Sequence, residues 1–162
     1  MTELPDFWRT EVWHPLAVHL PLAALLLATL AFMVSLFLKK QAWYQTGVFL
    51  IISGTLGAWV AVYTGSMADA VVVRGLCDPT VLESHENQAY LTSWIFTLAS
   101  VTSLSFYLKK LKIRQNVIKI LVVVFALTGS VFLARVGHLG ATLVYQQAAG
   151  VYVPSEDCSE FQ

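Results

Sequence analysis

The stretch Val12-Trp13-His14-Pro15-Leu16-Ala17-Val18-His19-Leu20-Pro21 begins the first long apolar segment of the chain and carries two of its four histidines. The other two, His85 and His138, also lie near one end of an apolar segment. If these segments are helices that alternate in direction, all four histidines collect at one end of a helix bundle. That convergence is the main functional signal in the sequence.

Apolar segments dominate the 162-residue chain, in which 57% of the residues are hydrophobic and 12% are charged. A soluble domain of this length carries about a quarter charged residues. Each apolar segment is long enough to cross a bilayer, and in lipid every backbone polar group must be satisfied within its own segment. The sequence therefore predicts an all-α fold: one integral membrane domain over residues 1–162, a four-helix up-down bundle. The predicted helices cover roughly 15–38, 46–72, 79–108 and 116–146. A soluble helical core is the less favoured alternative.

The charge pattern predicts the orientation of the bundle. Seven of the ten basic residues follow the first segment or lie around the connection between the third and fourth. All ten acidic residues fall toward the other ends of the segments. Short connections rich in lysine and arginine stay cytoplasmic. We therefore expect both termini outside, on the periplasmic or extracellular face of a bacterial inner membrane. The basic residues are Lys39, Lys40, Lys109, Lys110, Lys112, Arg114 and Lys119.

Local signals mark the helices. Pro21 removes one backbone hydrogen bond and predicts a bend in the first helix. The second helix carries small residues at spacings of three and four, which favour close approach of another helix or, less commonly, of a flat macrocycle. They are Gly54, Gly57, Ala58, Ala61, Gly65 and Ala68. Asp78, Pro79 and a capping box from Thr80 to Glu83 predict the start of the third helix. A second stripe of small residues on the fourth helix comprises Ser130, Ala134, Gly137 and Ala141.

The histidines are the candidate ligands. At a rise of about 1.5 Å per residue, His19 and His138 share one depth, and His14 and His85 share another about one and a half turns further out. We therefore prefer His19 with His138 as a ligand pair and keep His14 with His85 as the alternative. Arg135, one turn inward from His138, and Arg74 are candidate partners for the propionates of a haem.

A histidine-bound cofactor explains this arrangement best. Ionisable residues at the edge of a membrane span are costly and usually functional. Imidazole is the commonest side-chain metal ligand, and helix bundles hold haem b between histidines that face one another across the core. The alternative is a copper, zinc or iron ion held by His14, His19, His85 and His138 with Glu86 and Asp69. A histidine can also simply hydrogen-bond to water and carbonyls.

The chain resembles an uncharacterised bacterial four-helix membrane family known as a domain of unknown function. The resemblance is carried by His14-Pro15, Val18-His19-Leu20-Pro21, the glycines of the second helix and the stretch from Gly137 to Val151. It covers nearly the whole chain. Similar proteins sometimes occur beside c-type cytochrome modules, which implies respiratory electron transfer and a cytochrome or respiratory complex as partner. The resemblance implies roles for His14, His19 and His138.

Three functions follow as hypotheses. The leading one is a haem b protein that transfers electrons near the outer membrane face. The others are a metal-ion binder or transporter and a structural subunit without a cofactor. A hydrolase is disfavoured, because Ser84, His85 and Glu86 are adjacent and point to different sides of a helix. We expect an electron-transfer or binding subunit rather than an enzyme, in contact with the lipid bilayer, with a homo-oligomer open as an alternative and without nucleic acid as a partner.

Cys77 and Cys158 are predicted to lie outside the membrane, where disulfides persist. A bridge between them closes a loop of about 80 residues and contributes on the order of 4 kcal/mol to stability. We expect the protein purified without reductant to show no free thiol, and to gain two thiols and change its gel mobility after reduction. Equal thiol counts with and without reductant contradict the bridge.

Overall fold

Four α-helices make up most of the described part of the chain. The computed structural model describes residues 7–38, 40–108, 115–154 and 156, and these residues contain no strand. The predicted all-α four-helix class is thereby confirmed. The helices are α1 (Trp13–Leu38), α2 (Gln41–Val72), α3 (Pro79–Ser105) and α4 (Gln115–Gln147). Short 3-10 turns cover Thr10–Val12 before α1 and Val73–Gly75 after α2.

Consecutive helices run in opposite directions. Along α1 and α2, a Cβ on Gly65 would meet His14 and a Cβ on Gly54 would meet Leu25. The end of α2 therefore lies beside the start of α1. Along α3 and α4, Gly140 lies against His85 in the same way. The result is two antiparallel hairpins, α1–α2 and α3–α4. We call the end where α1 and α3 begin, and α2 and α4 end, the histidine end.

Glycines allow the two helices of each hairpin to approach closely. A Cβ on Gly54 would lie 2.8 Å from the side chain of Leu25, and a Cβ on Gly129 would lie 2.8 Å from the ring of Phe96. Leu25 and Phe96 are fully buried, so neither side chain has space to retreat. The small stripe predicted on α2 therefore receives helix α1, including Pro21, which packs against Gly57.

The stripe predicted on α4 is partly corrected. The close approaches on this helix occur at Gly129 and Gly140, neither of which belongs to the predicted set. A Cβ on Gly137 would have nothing within 4 Å, because this glycine borders open space rather than a helix. Ser130 contributes to the bundle through its hydroxyl rather than through its small size.

Hydroxyl groups join the two hairpins. The Thr29 hydroxyl of α1 lies 3.0 Å from the Ser130 hydroxyl of α4, and the Thr55 hydroxyl of α2 lies 2.9 Å from that of Ser100 on α3. All four groups are buried or partly buried, and a buried hydroxyl without a partner is costly in an apolar medium. The pairs therefore align the hairpins as well as hold them together.

The start of α3 is set by Asp78. Its carboxylate accepts hydrogen bonds from the backbone N–H and the hydroxyl of Thr80, at 3.0 and 2.6 Å. These two bonds hold the pKa of Asp78 below its ordinary value, and the bond from the hydroxyl has the larger effect. Asp78, and not Thr80, is therefore the N-cap, with Pro79 at the first helical position. The backbone N–H of Asp78 donates to the Gln147 side chain, which ties the start of α3 to the end of α4.

Three helical segments of the described chain are long and apolar enough to cross a membrane: Thr10–Leu38, Gln41–Gly75 and Gln115–Gln147. Helix α3 is long enough but carries many hydroxyl side chains. Several donate to carbonyls of their own helix, as Thr92 does to Gln88 and Thr97 to Ser93, so they add little unsatisfied polarity. Because α2 and α4 run in the same direction, α3 has to return the chain between them.

Two predictions depend on residues outside the described ranges. Cys158 lies outside them, so its bridge to Cys77 stays a prediction. Cys77 itself is exposed just before α3. Most of the basic cluster predicted to face the cytoplasm, including residues 39 and 109–114, is also outside them.

The close contact at Gly129 generates a stability prediction. Gly129→Ala places a methyl group against the buried Phe96 ring, and overpacking of this kind costs typically about 1–3 kcal/mol. We expect a lower melting temperature for the detergent-purified protein. Gly137→Ala, on the same helix, is the matched control and should melt no lower than wild type, because its new methyl group meets open space. Equal melting of both variants with wild type contradicts the close packing.

Candidate functional site

His14 is held in place by helix α2. Its Nδ1 lies 2.9 Å from the backbone carbonyl oxygen of Ala61. One turn further along α2, Gly65 leaves room for the ring: a Cβ there would lie 3.2 Å from Cε1 and Nδ1 of His14. The combination of a glycine and an accepting carbonyl four residues before it orients the imidazole.

His85 is held by helix α4 in the same way. Its Nδ1 lies 3.1 Å from the backbone carbonyl oxygen of Val136. Gly140, four residues further along α4, again leaves room for the ring, since a Cβ there would lie 3.1 Å from Cε1 of His85. Each histidine is therefore anchored to the helix that follows its own in the chain.

The two imidazoles lie next to each other at the histidine end. Their ring centroids are 6.0 Å apart, and the ring planes are nearly perpendicular at 86°. A backbone carbonyl can only accept a hydrogen bond, so in each ring Nδ1 carries the hydrogen. The neutral ring then has Nε2 as its free lone pair, which is the tautomer that metal-ligating histidines use when a carbonyl supports them.

A cavity of about 480 Å³ is bounded by both histidines. Its wall comes from all four helices and is mainly apolar. Sites for small molecules and cofactors range over roughly 300–1,000 Å³ and are lined mostly by apolar groups with a few placed polar ones. Representative lining residues are Val18, Leu22, Ala58, Leu133, Gly137 and Val144.

The chain after α4 folds back over the histidine end. Arg9 donates from Nη2 to the carbonyl oxygen of Gly150 at 2.9 Å, and its Nε lies 3.2 Å from the Glu11 carboxylate. Glu11 and Gly150 both line the cavity. Gly150 has a φ of 68°, a conformation that glycine adopts without strain, and this permits the turn back. Arg9 therefore contacts two residues of the cavity wall, although it is not itself among the described residues that line the cavity.

The other residues predicted for the site do not all lie at the cavity. His19 lines the cavity, whereas His138 is exposed and is not among the described residues that line it. Of the preferred pair, His19 therefore lies in the cavity wall and His138 does not, since equal depth along the bundle does not make two side chains face the same space. The structure brings together the alternative pair, His14 and His85. Arg74 and Arg135 are both exposed and outside the cavity wall.

A multi-ligand metal-ion site finds no support within the described ranges. Among those residues, no three or more His, Cys, Asp or Glu side chains come together in a way that would hold a metal ion. Asp69 lines the cavity, but Glu86 lies where it accepts a hydrogen bond from Ser66 at 3.4 Å. The predicted cluster of four histidines with these two carboxylates does not form there.

Sequence reasoning missed the groups that orient the histidines. Backbone carbonyls such as those of Ala61 and Val136 have no signature in a sequence, and Arg9 lies in the segment before α1 without a motif around it. One signal is present: Gly65 and Gly140 each lie at the level of a histidine on the preceding helix of their hairpin. Matching glycine depth to histidine depth within a hairpin would select His14 and His85.

The fold and the site define a small helical membrane protein with a paired-histidine cavity at one end of its bundle. A family model described as "Predicted membrane protein (DUF2231)" matches residues 12–152. The chain belongs to this family, and the resemblance noted from the sequence is thereby confirmed. The matched range includes all four histidines. No curated protein and no solved structure matches the chain.

Proposed function

We propose that this protein is a b-type haem protein of the membrane that transfers electrons, with His14 and His85 as the residues that would hold the haem iron. The observation that carries the proposal is the pairing of these imidazoles, with ring centroids 6.0 Å apart, in the wall of an apolar cavity, each with Nδ1 on a backbone carbonyl. Two histidines suffice for a haem, whereas a structural metal ion such as zinc takes four ligands and a catalytic one takes three.

The distances support the fit. Nitrogen ligands lie about 2.0–2.1 Å from a metal, so two imidazoles that both bound one metal ion would have their ring centroids roughly 6 Å apart. The separation observed here agrees with that value. The cavity of about 480 Å³ has the size and the apolar wall of a cofactor site.

The chain supplies orientation and environment. A bound haem supplies reversible one-electron chemistry, and its potential depends on axial ligands, hydrogen bonding and burial. The Ala61 and Val136 carbonyls make the two imidazoles more basic by accepting from Nδ1, which strengthens Nε2 as a donor to the metal. The surrounding apolar side chains exclude water. Arg9, which contacts the wall residues Glu11 and Gly150, would be the candidate partner for a propionate carboxylate, the role that the sequence suggested for Arg74 and Arg135.

The proposal extends to location and partner. Lys39 and Lys40 follow α1 in the chain and most of the other basic residues follow α3, so the rule for basic connections would place the histidine end toward the periplasm or exterior of a bacterial inner membrane. Electrons would pass there to or from a soluble or membrane-attached cytochrome.

Substitution of the two histidines tests the ligands. We expect wild-type protein purified from haem-sufficient cells to show a Soret band that shifts on reduction with dithionite. His14→Ala and His85→Ala should each remove most of the bound haem, because a site with two ligands loses its coordination when either is removed. The pyridine haemochrome assay measures the remaining haem per protein.

His138→Ala is the matched control for these variants. His138 is an exposed histidine of α4 outside the cavity wall, so this change should leave haem content and spectrum unchanged. A colourless wild-type protein that is folded and monodisperse contradicts the haem proposal. In that event the cofactor-free structural subunit is the surviving function.

Cysteine labelling tests the orientation. In a variant without Cys77 and Cys158, a cysteine introduced at Gln115, the start of α4, should be protected from an impermeant maleimide in intact cells. A cysteine at Val153, an exposed position near the histidine end, should be labelled. The reverse pattern places the histidine end in the cytoplasm and contradicts the predicted orientation.

A further inference from the structure

The two hairpins build their histidine contacts from the same pattern. His85 follows His14 by 71 positions, while Val136 and Gly140 follow Ala61 and Gly65 by 75 positions. In each hairpin the histidine meets a carbonyl and a glycine four residues apart on the next helix. A residue of the first helix, α1, thus has its counterpart in α3 71 positions later, and a residue of the second helix, α2, has its counterpart in α4 75 positions later.

The helix-packing contacts obey the same two shifts. Leu25 packs on Gly54 in the first hairpin, and Phe96 packs on Gly129 in the second. Phe96 follows Leu25 by 71 positions and Gly129 follows Gly54 by 75. Both large side chains are fully buried. The repeat therefore extends from the histidine end into the middle of the bundle.

The contacts between the hairpins are reciprocal under these shifts. Thr29 pairs with the Ser130 hydroxyl and also donates to the Ala126 carbonyl at 3.4 Å. Its counterpart Ser100 pairs with the Thr55 hydroxyl and also donates to the Ile51 carbonyl at 3.3 Å. If each of these residues is replaced by its counterpart in the other hairpin, the first set of bonds becomes the second. Reciprocal contacts of this kind are the property of a two-fold interface.

We infer that the chain is an internal duplication of one helix hairpin, and that its site consists of two equivalent half-sites related by a pseudo-two-fold axis between His14 and His85. The half-sites are His14 with Ala61 and Gly65, and His85 with Val136 and Gly140. Such a site takes a ligand bound identically from two sides, which is the class of a planar macrocycle with a metal carrying two axial positions. This ligand assignment rests on the proposed function, whereas the duplication does not.

The repeat also separates the two candidate pairs of histidines. The counterpart of His14 is His85, so each of these residues is the other's image. The counterpart of His19 is Tyr90, and that of His138 is Tyr63. His19 and His138 are therefore unrelated by the axis, and neither belongs to a two-fold site. Gly65 and Gly140 are positioning residues, since they act on the ligand through the imidazoles that they admit.

The duplication is tested without any cofactor through the hydroxyl pairs. In the full chain, Thr29→Val and the change at its counterpart, Ser100→Ala, each remove one hydroxyl from one of the reciprocal pairs. We expect the two variants to lower the melting temperature of the purified protein by similar amounts. Thr102→Val is the matched control and should change it little, because that exposed hydroxyl donates only within its own helix, to Leu98. A clear loss in one pair variant and none in the other overturns the duplication.

The equivalent half-sites are tested by spectroscopy on the full chain with haem b bound. Nearly perpendicular axial imidazoles give a ferric low-spin electron paramagnetic resonance signal with one unusually large g value, so wild type should show it. Gly65→Ala and Gly140→Ala each press a methyl group on one imidazole and should weaken or shift that signal to a similar extent. Gly75→Ala, outside the cavity wall with open space beside it, should not.

The outcomes separate the two proposals. Two outcomes overturn the equivalent half-sites while the haem function stands. The first is haem binding with a rhombic signal typical of parallel rings. The second is a spectrum that responds to only one of the two glycine substitutions. Absence of haem from folded wild-type protein overturns the haem function and the ligand class. The melting temperatures of the Thr29 and Ser100 variants then still decide on the duplication.

Discussion

The close approach of the two helices in each hairpin is the constraint on which the rest of the structure depends. At Gly54 and Gly129 even one methyl group would collide with a buried side chain of the facing helix. Between helices in lipid the driving force is packing rather than the exclusion of water, so small residues at the contact count for more than apolar ones. Each hairpin packs closely because a glycine is present where Leu25 or Phe96 meets the facing helix.

The same close approach places the imidazoles. With the helix backbones this near to each other, a histidine at the start of one helix reaches the carbonyls of the next, and Gly65 and Gly140 leave space for its ring. Each carbonyl accepts from Nδ1, which fixes both the tautomer and the ring orientation. A carbonyl in a regular helix already accepts one backbone bond and has a second lone pair to offer. The bundle thus holds two imidazoles in fixed orientations without the help of polar side chains.

The interface between the two hairpins contains polar groups. Four hydroxyls form its centre, in two pairs that reach from α1 to α4 and from α2 to α3. At the opposite end from the histidines, the Tyr44 hydroxyl donates to the Ser103 carbonyl at 3.0 Å, and the amino group of Lys119 lies over the rings of Tyr44 and Phe106. Apolar surface is left between the hairpins at the histidine end, where the cavity opens.

The sequence by itself determined the class of fold, because four long apolar segments with few internal charges leave helices as the way to satisfy the backbone in lipid. It also determined the N-terminus of α3 through Asp78 and Pro79, and the gathering of four histidines at one end. Which histidines face each other was decided only by the tertiary structure. Depth follows from a rise per residue, but facing depends on how each helix is rotated against its neighbour. Gly65 and Gly140, which leave room for the rings in the rotation observed, are far away in the chain from His14 and His85.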